Sequence, residues 1–556
     1  MHNPVRPTFV VAVDAKGASY EVTVAPNGTM QPPSIALELG LELENDPIEG
    51  TWRLIAMPRH EVTVTAVKAT IPCRVKRYDS IFLNGYQSWT DSYEHTIYDK
   101  MKGIDHIPYG IADKHAFSQY GDYTFTGYSG AQGELHGWSY GYVRTGDSYN
   151  FVGSLSEDCG FTLIRTKTYS DELIFSKDCR GLALNGRYGG LKLLLTDGKE
   201  NEVFDRYFDL LGVKLRPEAK PIFGYTSWYR HYQNISSDIL GADLRAMEES
   251  AHKADVFQID DGWESVVGDW LYADHGKFPE GMQAEAKRIT EAGMIPGIWL
   301  APFVCEQNSI LYMTHKSWLL QNDDGSYVKG GSNWSGFYAL DIYNPDVRDY
   351  LRDVFDTVVN VWGFRLLKLD FLYAACIIPR RDKTRGQVMA DAMDFLRECA
   401  GDALILACGV PLASAFGRVD YCRIGCDVSL DWDDKPYMRF AHRERISTRT
   451  TILDTIFRRQ LNGRAFLSDP DVFLLRSDGC TMTTSQKMAL GEVNAAAGSV
   501  LFTSDDVAFY GDEEQRLLGG FMRMRGAEVL TAVLDENELT VSYQLGEKLV
   551  TRTYKM

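Results

Sequence analysis

The 556-residue chain lacks several features that would assign it to a class at once. It has no uninterrupted apolar run of the roughly 18 residues that a membrane-crossing helix needs, which argues against a membrane protein. Its ten cysteines include no CxxC pair. That suits free thiols in a reducing compartment better than a disulfide framework or a zinc site. Its eleven histidines show no HExxH or close ligand spacing, so no catalytic metal and no cofactor are expected. The first twenty residues, MHNPVRPTFVVAVDAKGASY, lack the basic region and apolar run of a secretory signal. The expected location is therefore cytoplasmic. Positive charge is also in deficit: 58 Lys and Arg against 76 Asp and Glu give a net charge of −18. Neither nucleic acid nor a membrane surface is an expected partner of so acidic a chain; a neutral small molecule is.

What is present falls into three styles. Up to about residue 205, segments such as YEVTVAPNGTM, HEVTVTAVKATI and GFTLIRTKTYSDELIFS alternate apolar and polar residues between turn signals. They predict an N-terminal antiparallel β-sandwich over 1–205. From 206 to 505, short apolar runs alternate with amphipathic helical stretches. The runs are IFGYTSW, VFQID, IPGIWLAPF, LLKLDF, ALILACG, YCRIGCD, RAFLSD and SVLFTS. Eight such units predict a central (β/α)8 TIM barrel. A doubly wound sheet is the alternative, but no Gly-rich phosphate loop follows the first strand. The remainder, 506–556, returns to alternation and predicts a small C-terminal β domain. The chain is multidomain.

The run LLKLDFLY places Lys368 and Asp370 inside an apolar strand. Lone buried charges are costly, so such groups are paired or held for chemistry. Strand alternation puts Lys368 and Asp370 on one face, toward the barrel lumen, and Leu367, Leu369 and Phe371 on the other. The same alternation puts Asp260 at the end of another strand, with Asp261 opening its loop. Arg423 and Asp427 share a face, Asp469 ends a further strand, and Trp228 and Trp299 reach the same rim. Chemistry in this fold sits at the C-terminal ends of the strands. Two carboxylates with aromatic walls and hydroxyl-binding groups are what glycoside hydrolysis requires. Singly, each aspartate could equally be a helix cap or a loop ion pair. The acidic DVSLDWDD, with Asp433 and Asp434, reads as a solvated loop, since it lacks the Gly and distal Glu of an EF-hand.

The segments FQIDDGWE, GDWLYADHGKFPEGM, GMIPGIWLAPF, LLKLDF, LACGVPL, CRIGCDVSLDW and FLSDPD occur in the order found in melibiase-type α-galactosidases. The chain resembles that family, glycoside hydrolase family 36, and more distantly family 27. The likeness runs from about 220 to 480 and extends to NGYQSW, Asn84 to Trp89. It implies a retaining hydrolase that removes terminal α-galactose from neutral oligosaccharides through a covalent galactosyl-enzyme. By motif position Asp370 would be the nucleophile and Asp427 the acid/base. Asp260 and Asp261 would hold the 4- and 6-hydroxyls, and Lys368 and Arg423 would bind sugar beside the two catalytic carboxylates. Trp228 and Trp270 would wall the pocket, with Trp299 at the same rim, and Cys408 and Gly409 would meet the 2-position. The family also implies a homo-oligomer in which the N-terminal domain helps form the neighbour's pocket.

The sequence departs from the family at three places. No arginine precedes Leu340–Asp341 in SNWSGFYALD, KLDFLY replaces KWDMNR, and CGVPL replaces CSGGGG. Gly409 leaves room for a 2-acetamido group, whereas Leu412 matches the galactosidases. The alternatives left open are an α-N-acetylgalactosaminidase or a transglycosylase on the same site, and more remotely a non-catalytic sugar-binding protein.

Overall fold

The computed structural model describes residues 5–46, 48–432 and 442–556. Its N-terminal part is a sandwich of two antiparallel sheets, one of eight strands and one of six. Alternation builds it: in Thr8–Ala15 the side chains of Phe9, Val11 and Val13 are buried. They meet Trp52, Leu54 and Leu193 of the six-stranded sheet in one apolar cluster. The predicted sandwich is present. A helix, Glu200–Leu211, leads out of it and spans the expected boundary at 205.

All eight apolar runs form barrel strands, and a ninth short strand follows the seventh. We number them β1 (Ile222–Thr226), β2 (Val256–Ile259), β3 (Ile295–Leu300), β4 (Leu366–Leu369), β5 (Leu404–Ala407), β6 (Tyr421–Arg423), β7 (Leu467–Asp469), β8 (Val472–Phe473) and β9 (Val500–Thr503). Every neighbouring pair is parallel. β7 pairs with β6, and β8 pairs with β9. β7 and β8 share one strand position, broken at Pro470–Asp471, and through that break the ring closes. Strands packed on both faces read as continuous apolar runs, and these do.

The helical layer departs from strict eightfold repetition. Between β5 and β6 the chain makes only a short turn, Leu412–Ala415. The next residue, Phe416, packs against Phe208 of the linking helix with ring centroids 5.2 Å apart. At the other end, the expected all-β segment 506–556 is corrected. It contains helix Asp512–Met524, which follows β9 and sets Phe521 against Phe473 of β8 at 5.4 Å. That helix completes the barrel, and only the three antiparallel strands from Glu528 to Lys555 form the C-terminal sheet.

Sandwich and barrel are clamped by one arginine. Arg458, at the end of helix Thr448–Phe457, is fully buried. Its guanidinium donates to the side-chain oxygen of Asn84 (3.0 Å) and to the carbonyls of Gly85 (3.4 Å), Gln87 (3.1 Å) and Ser88 (2.8 Å) in the sandwich. It also donates to the carbonyl of Ile424, just beyond β6 (2.8 Å). Arg458→Met would leave all five acceptors without this donor. Each orphaned acceptor costs about 1 kcal/mol or more, so a loss of roughly 3 kcal/mol or more is expected in urea unfolding. A loss below about 1 kcal/mol would show that the clamp is dispensable.

Candidate active site

The C-terminal ends of the barrel strands open into a cavity of about 430 Å³. Asp370 directly follows β4, and its amide extends the ladder to the carbonyl of Leu300 (2.8 Å). Its carboxylate is held on both oxygens, by the indole N–H of Trp299 (3.1 Å) and the amide of Phe371 (2.8 Å). Lys368, two residues earlier, points the same way, as alternation predicts. Its ammonium contacts Asp260 at 2.8 Å. Burial alone would lower its pKa, but Asp260 and Asp370 outweigh that and raise it, so Lys368 stays charged. Asp370 itself is pushed up, chiefly by burial and further by Asp427, with Lys368 opposing.

Asp260 follows β2 and accepts from Gln258 (2.8 Å) and Thr226 (3.2 Å) as well as Lys368. Asp261 accepts from Gln233 (3.1 Å to each oxygen) and from the indole of Trp334 (2.9 Å). On the opposite side, Asp427 receives the guanidinium of Arg423 at 2.7 Å. The two candidate catalytic carboxylates differ in exposure. Asp370 is buried, whereas Asp427 is only partly so, its side chain 35% exposed.

Seven of the expected residues line the cavity together: Trp228, Asp260, Asp261, Trp299, Lys368, Asp370 and Asp427. Four do not. Trp270 is fully buried behind the wall, its ring 5.7 Å from that of Trp299. Arg423 is buried behind Asp427 and also reaches Asp469 (3.5 Å) and Asp471 (2.8 Å). Cys408 is buried and accepts the indole N–H of Trp89 at 3.2 Å. Gly409 does not leave open room: a Cβ there would lie 2.9 Å from the Trp89 ring and 3.0 Å from the Phe371 amide. Phe371 also corrects the alternation. Its φ is +53°, and it lines the cavity that it was expected to face away from. Of the acidic loop, Asp433 and Asp434 lie outside the described residues.

Several lining residues escape the sequence reading. Trp89, Phe117 and Tyr120 come from the sandwich part of the same chain. The sandwich thus supplies part of the cavity wall to the barrel of its own chain. Ser332, Asn333 and Trp334 line the cavity from SNWSG, the segment that lacks the family's arginine. Tyr120 latches onto them, its hydroxyl bonding the Asn333 side chain and accepting from the Ser332 amide (2.9 Å). Glu444 and His442 complete the rim. Glu444 accepts from Thr90 (2.7 Å) and Tyr123 (2.8 Å). NGYQSW and SNWSG are visible as motifs, but their distance from the strand ends hides their role.

Residues 201–391 match the Melibiase family model. The match takes in the first four barrel strands, so the first half of the barrel is similar to a melibiase. The chain is 30% identical over 159 residues to α-galactosidase 1 of Pediococcus pentosaceus, covering 26% of this chain and 21% of that protein. It is 32% identical over 200 residues to an A type blood α-D-galactosamine galactosaminidase of Flavonifractor plautii, covering 34% and 18%. These matches span about a fifth of the length of the curated relatives. The α-galactosidase TtGalA of Thermus thermophilus, solved with p-nitrophenyl α-D-galactopyranoside, superposes with a TM-score of 0.71 at 28% identity. That superposition covers 97% of this chain and 98% of TtGalA. The order of sandwich, barrel and C-terminal sheet is therefore similar along the whole length of that structure.

Gly409→Ala tests the packing between sandwich and barrel. The positive φ of +57° and the contact with Trp89 both oppose a methyl group. We expect a loss of about 1–3 kcal/mol, with a shift in tryptophan emission as the Trp89 ring moves. An unchanged melting temperature and spectrum would mean that the ring has free space to retreat into.

Proposed function

We propose that the protein is a retaining glycoside hydrolase that removes terminal α-linked galactose from neutral oligosaccharides. The observation that carries this reading is the pair Asp370 and Asp427 on one cavity, the first enclosed and the second open. A nucleophile benefits from fixed orientation, and donors from Trp299 and Phe371 hold both oxygens of Asp370. An acid/base must reach the leaving oxygen and later a water, which suits the more accessible Asp427. In the first step Asp370 attacks the anomeric carbon while Asp427 gives its proton to the departing oxygen. In the second, Asp427 takes a proton from water, which displaces Asp370 and releases the sugar. Asp260, Asp261 and Lys368 supply charged partners for sugar hydroxyls, and Trp228, Trp299 and Trp334 supply apolar faces. The likeness to TtGalA supports the same reading. The ten free cysteines support the cytoplasm as its location.

We also propose galactose over N-acetylgalactosamine as the glycone, although a galactosaminidase is among the relatives. By the resemblance, Gly409 lies near the sugar's 2-position, and Trp89 occupies the room beside it. The deciding assay compares nitrophenyl α-galactoside with nitrophenyl α-N-acetylgalactosaminide. We expect turnover of the first, lost by about 10⁴-fold or more in Asp370→Asn. Trp89→Ala should admit the acetamido sugar. Turnover of the acetamido sugar alone by the unaltered protein would reverse the glycone assignment. Activity that survives in Asp370→Asn would remove the nucleophile.

The pH dependence has a definite sign. Asp370 must be ionised to attack, so activity is lost as pH falls through its pKa. Burial raises that pKa above the ordinary 3.8, so the acid limb of kcat/KM should lie above that value. Trp299→Phe removes a donor that favours the ionised form. It should move the limb further up and lower kcat; a downward movement would contradict the role of Trp299.

A further inference from the structure

Asp471 does not line the cavity, yet groups from three neighbouring segments converge on it. It sits at the break between β7 and β8 with φ +74°, in the left-handed region that aspartate enters more readily than most non-glycine residues. Its contacts fix it there. One oxygen accepts from the Arg423 guanidinium at the end of β6 (2.8 Å). The other accepts from the amide of Val428, the residue after Asp427 (2.8 Å), and from the hydroxyl of Tyr229, the neighbour of Trp228. Its own amide donates to Asp469 (2.9 Å). It is 3% exposed.

Arg423 therefore serves three carboxylates, Asp427 at 2.7 Å, Asp471 at 2.8 Å and Asp469 at 3.5 Å. This sharing bears on acid catalysis. A guanidinium paired with one carboxylate favours its ionised form, whereas a general acid must begin turnover protonated. Two further carboxylates on the same guanidinium counter its charge. We infer that Asp471 is a positioning residue for Asp427, holding Arg423 and the Val428 amide so that the acid is fixed in place and does not face an uncompensated cation. The inference rests on the hydrolase reading above. Arg423, Asp427, Asp469 and Tyr229 are the charged and titratable groups that face Asp471. Burial pushes Asp471 up to about 7, with Arg423 opposing and Asp427 and Asp469 adding.

Asp471→Asn keeps the shape and removes the charge. The alkaline limb of kcat/KM should move to lower pH by about one unit. The rate on methyl α-galactoside, whose leaving group needs the acid, should fall about tenfold or more, and the rate on nitrophenyl α-galactoside much less. Asp469→Asn should move the limb the same way by a smaller amount, its contact being longer, and it carries the test if Asp471→Asn does not fold. An unmoved limb with equal losses on both substrates would make Asp471 merely structural. Silence of the unaltered protein on both galactosides would overturn the hydrolase reading and this inference with it. An active protein whose limb stays fixed in the folded variants would overturn the inference alone.

Discussion

The cavity takes its lining from both the sandwich and the barrel, and Trp89 reaches it because the Asn84–Trp89 loop lies against the barrel. Arg458 enforces that placement. A fully buried guanidinium must find acceptors, because leaving its donors dry is costly. The acceptors available are the loop's carbonyls, the Asn84 amide oxygen and the carbonyl of Ile424, next to Arg423. One side chain thereby ties the loop that presents Trp89 to the strand that orients the candidate acid. The loop also bonds in its own right: the amide of Ser88 donates to Val410 (2.9 Å), and that of Leu412 to Tyr86 (3.3 Å). The absence of a helix between β5 and β6 leaves that flank of the barrel to the sandwich and its linking helix.

Inside the mouth, electrostatics sets the arrangement. Lys368 lies between the influence of Asp260 and Asp370, and Arg423 is shared by Asp427, Asp469 and Asp471. Each cation offsets the cost of burying carboxylates that the chemistry needs. The two groups are not alike. Lys368 makes one close ion pair, at Asp260, and acts on Asp370 through space. Arg423 uses its planar fork to bind on three edges, which a lysine could not reproduce.

The barrel was legible because a strand packed on both faces must be apolar along its length, and all eight such runs formed strands. Lys368 and Asp370 were legible for the same reason in reverse, as charges where a buried strand should have none. Alternation failed one residue later, at Phe371, because the backbone turns left-handed there and brings the ring back to the cavity. Trp270 was misplaced because a loop tryptophan can serve the wall or the layer behind it, and pattern does not separate the two. The sandwich's contribution was illegible for a different reason: Trp89 meets Cys408 across 319 residues of sequence. No local periodicity carries that contact. Gly409 shows the consequence, since its missing side chain suggests space only until the distant indole is placed beside it.

The unequal exposure of the two catalytic candidates follows from where each is carried. Asp370 continues β4 and is fixed by the neighbouring β3, through the Leu300 carbonyl and the Trp299 indole. Asp427 lies four residues beyond Arg423, past the end of β6, so it needs tethers that a strand would otherwise supply. The Arg423 fork and the Val428 amide bond to Asp471 are those tethers. The closing break between β7 and β8 is what brings Asp471 within reach of both. An uninterrupted seventh strand would keep regular alternation there. The break turns Asp471 toward Arg423 and the Val428 amide, so the irregularity at β7 and β8 also supports the more exposed half of the chemistry.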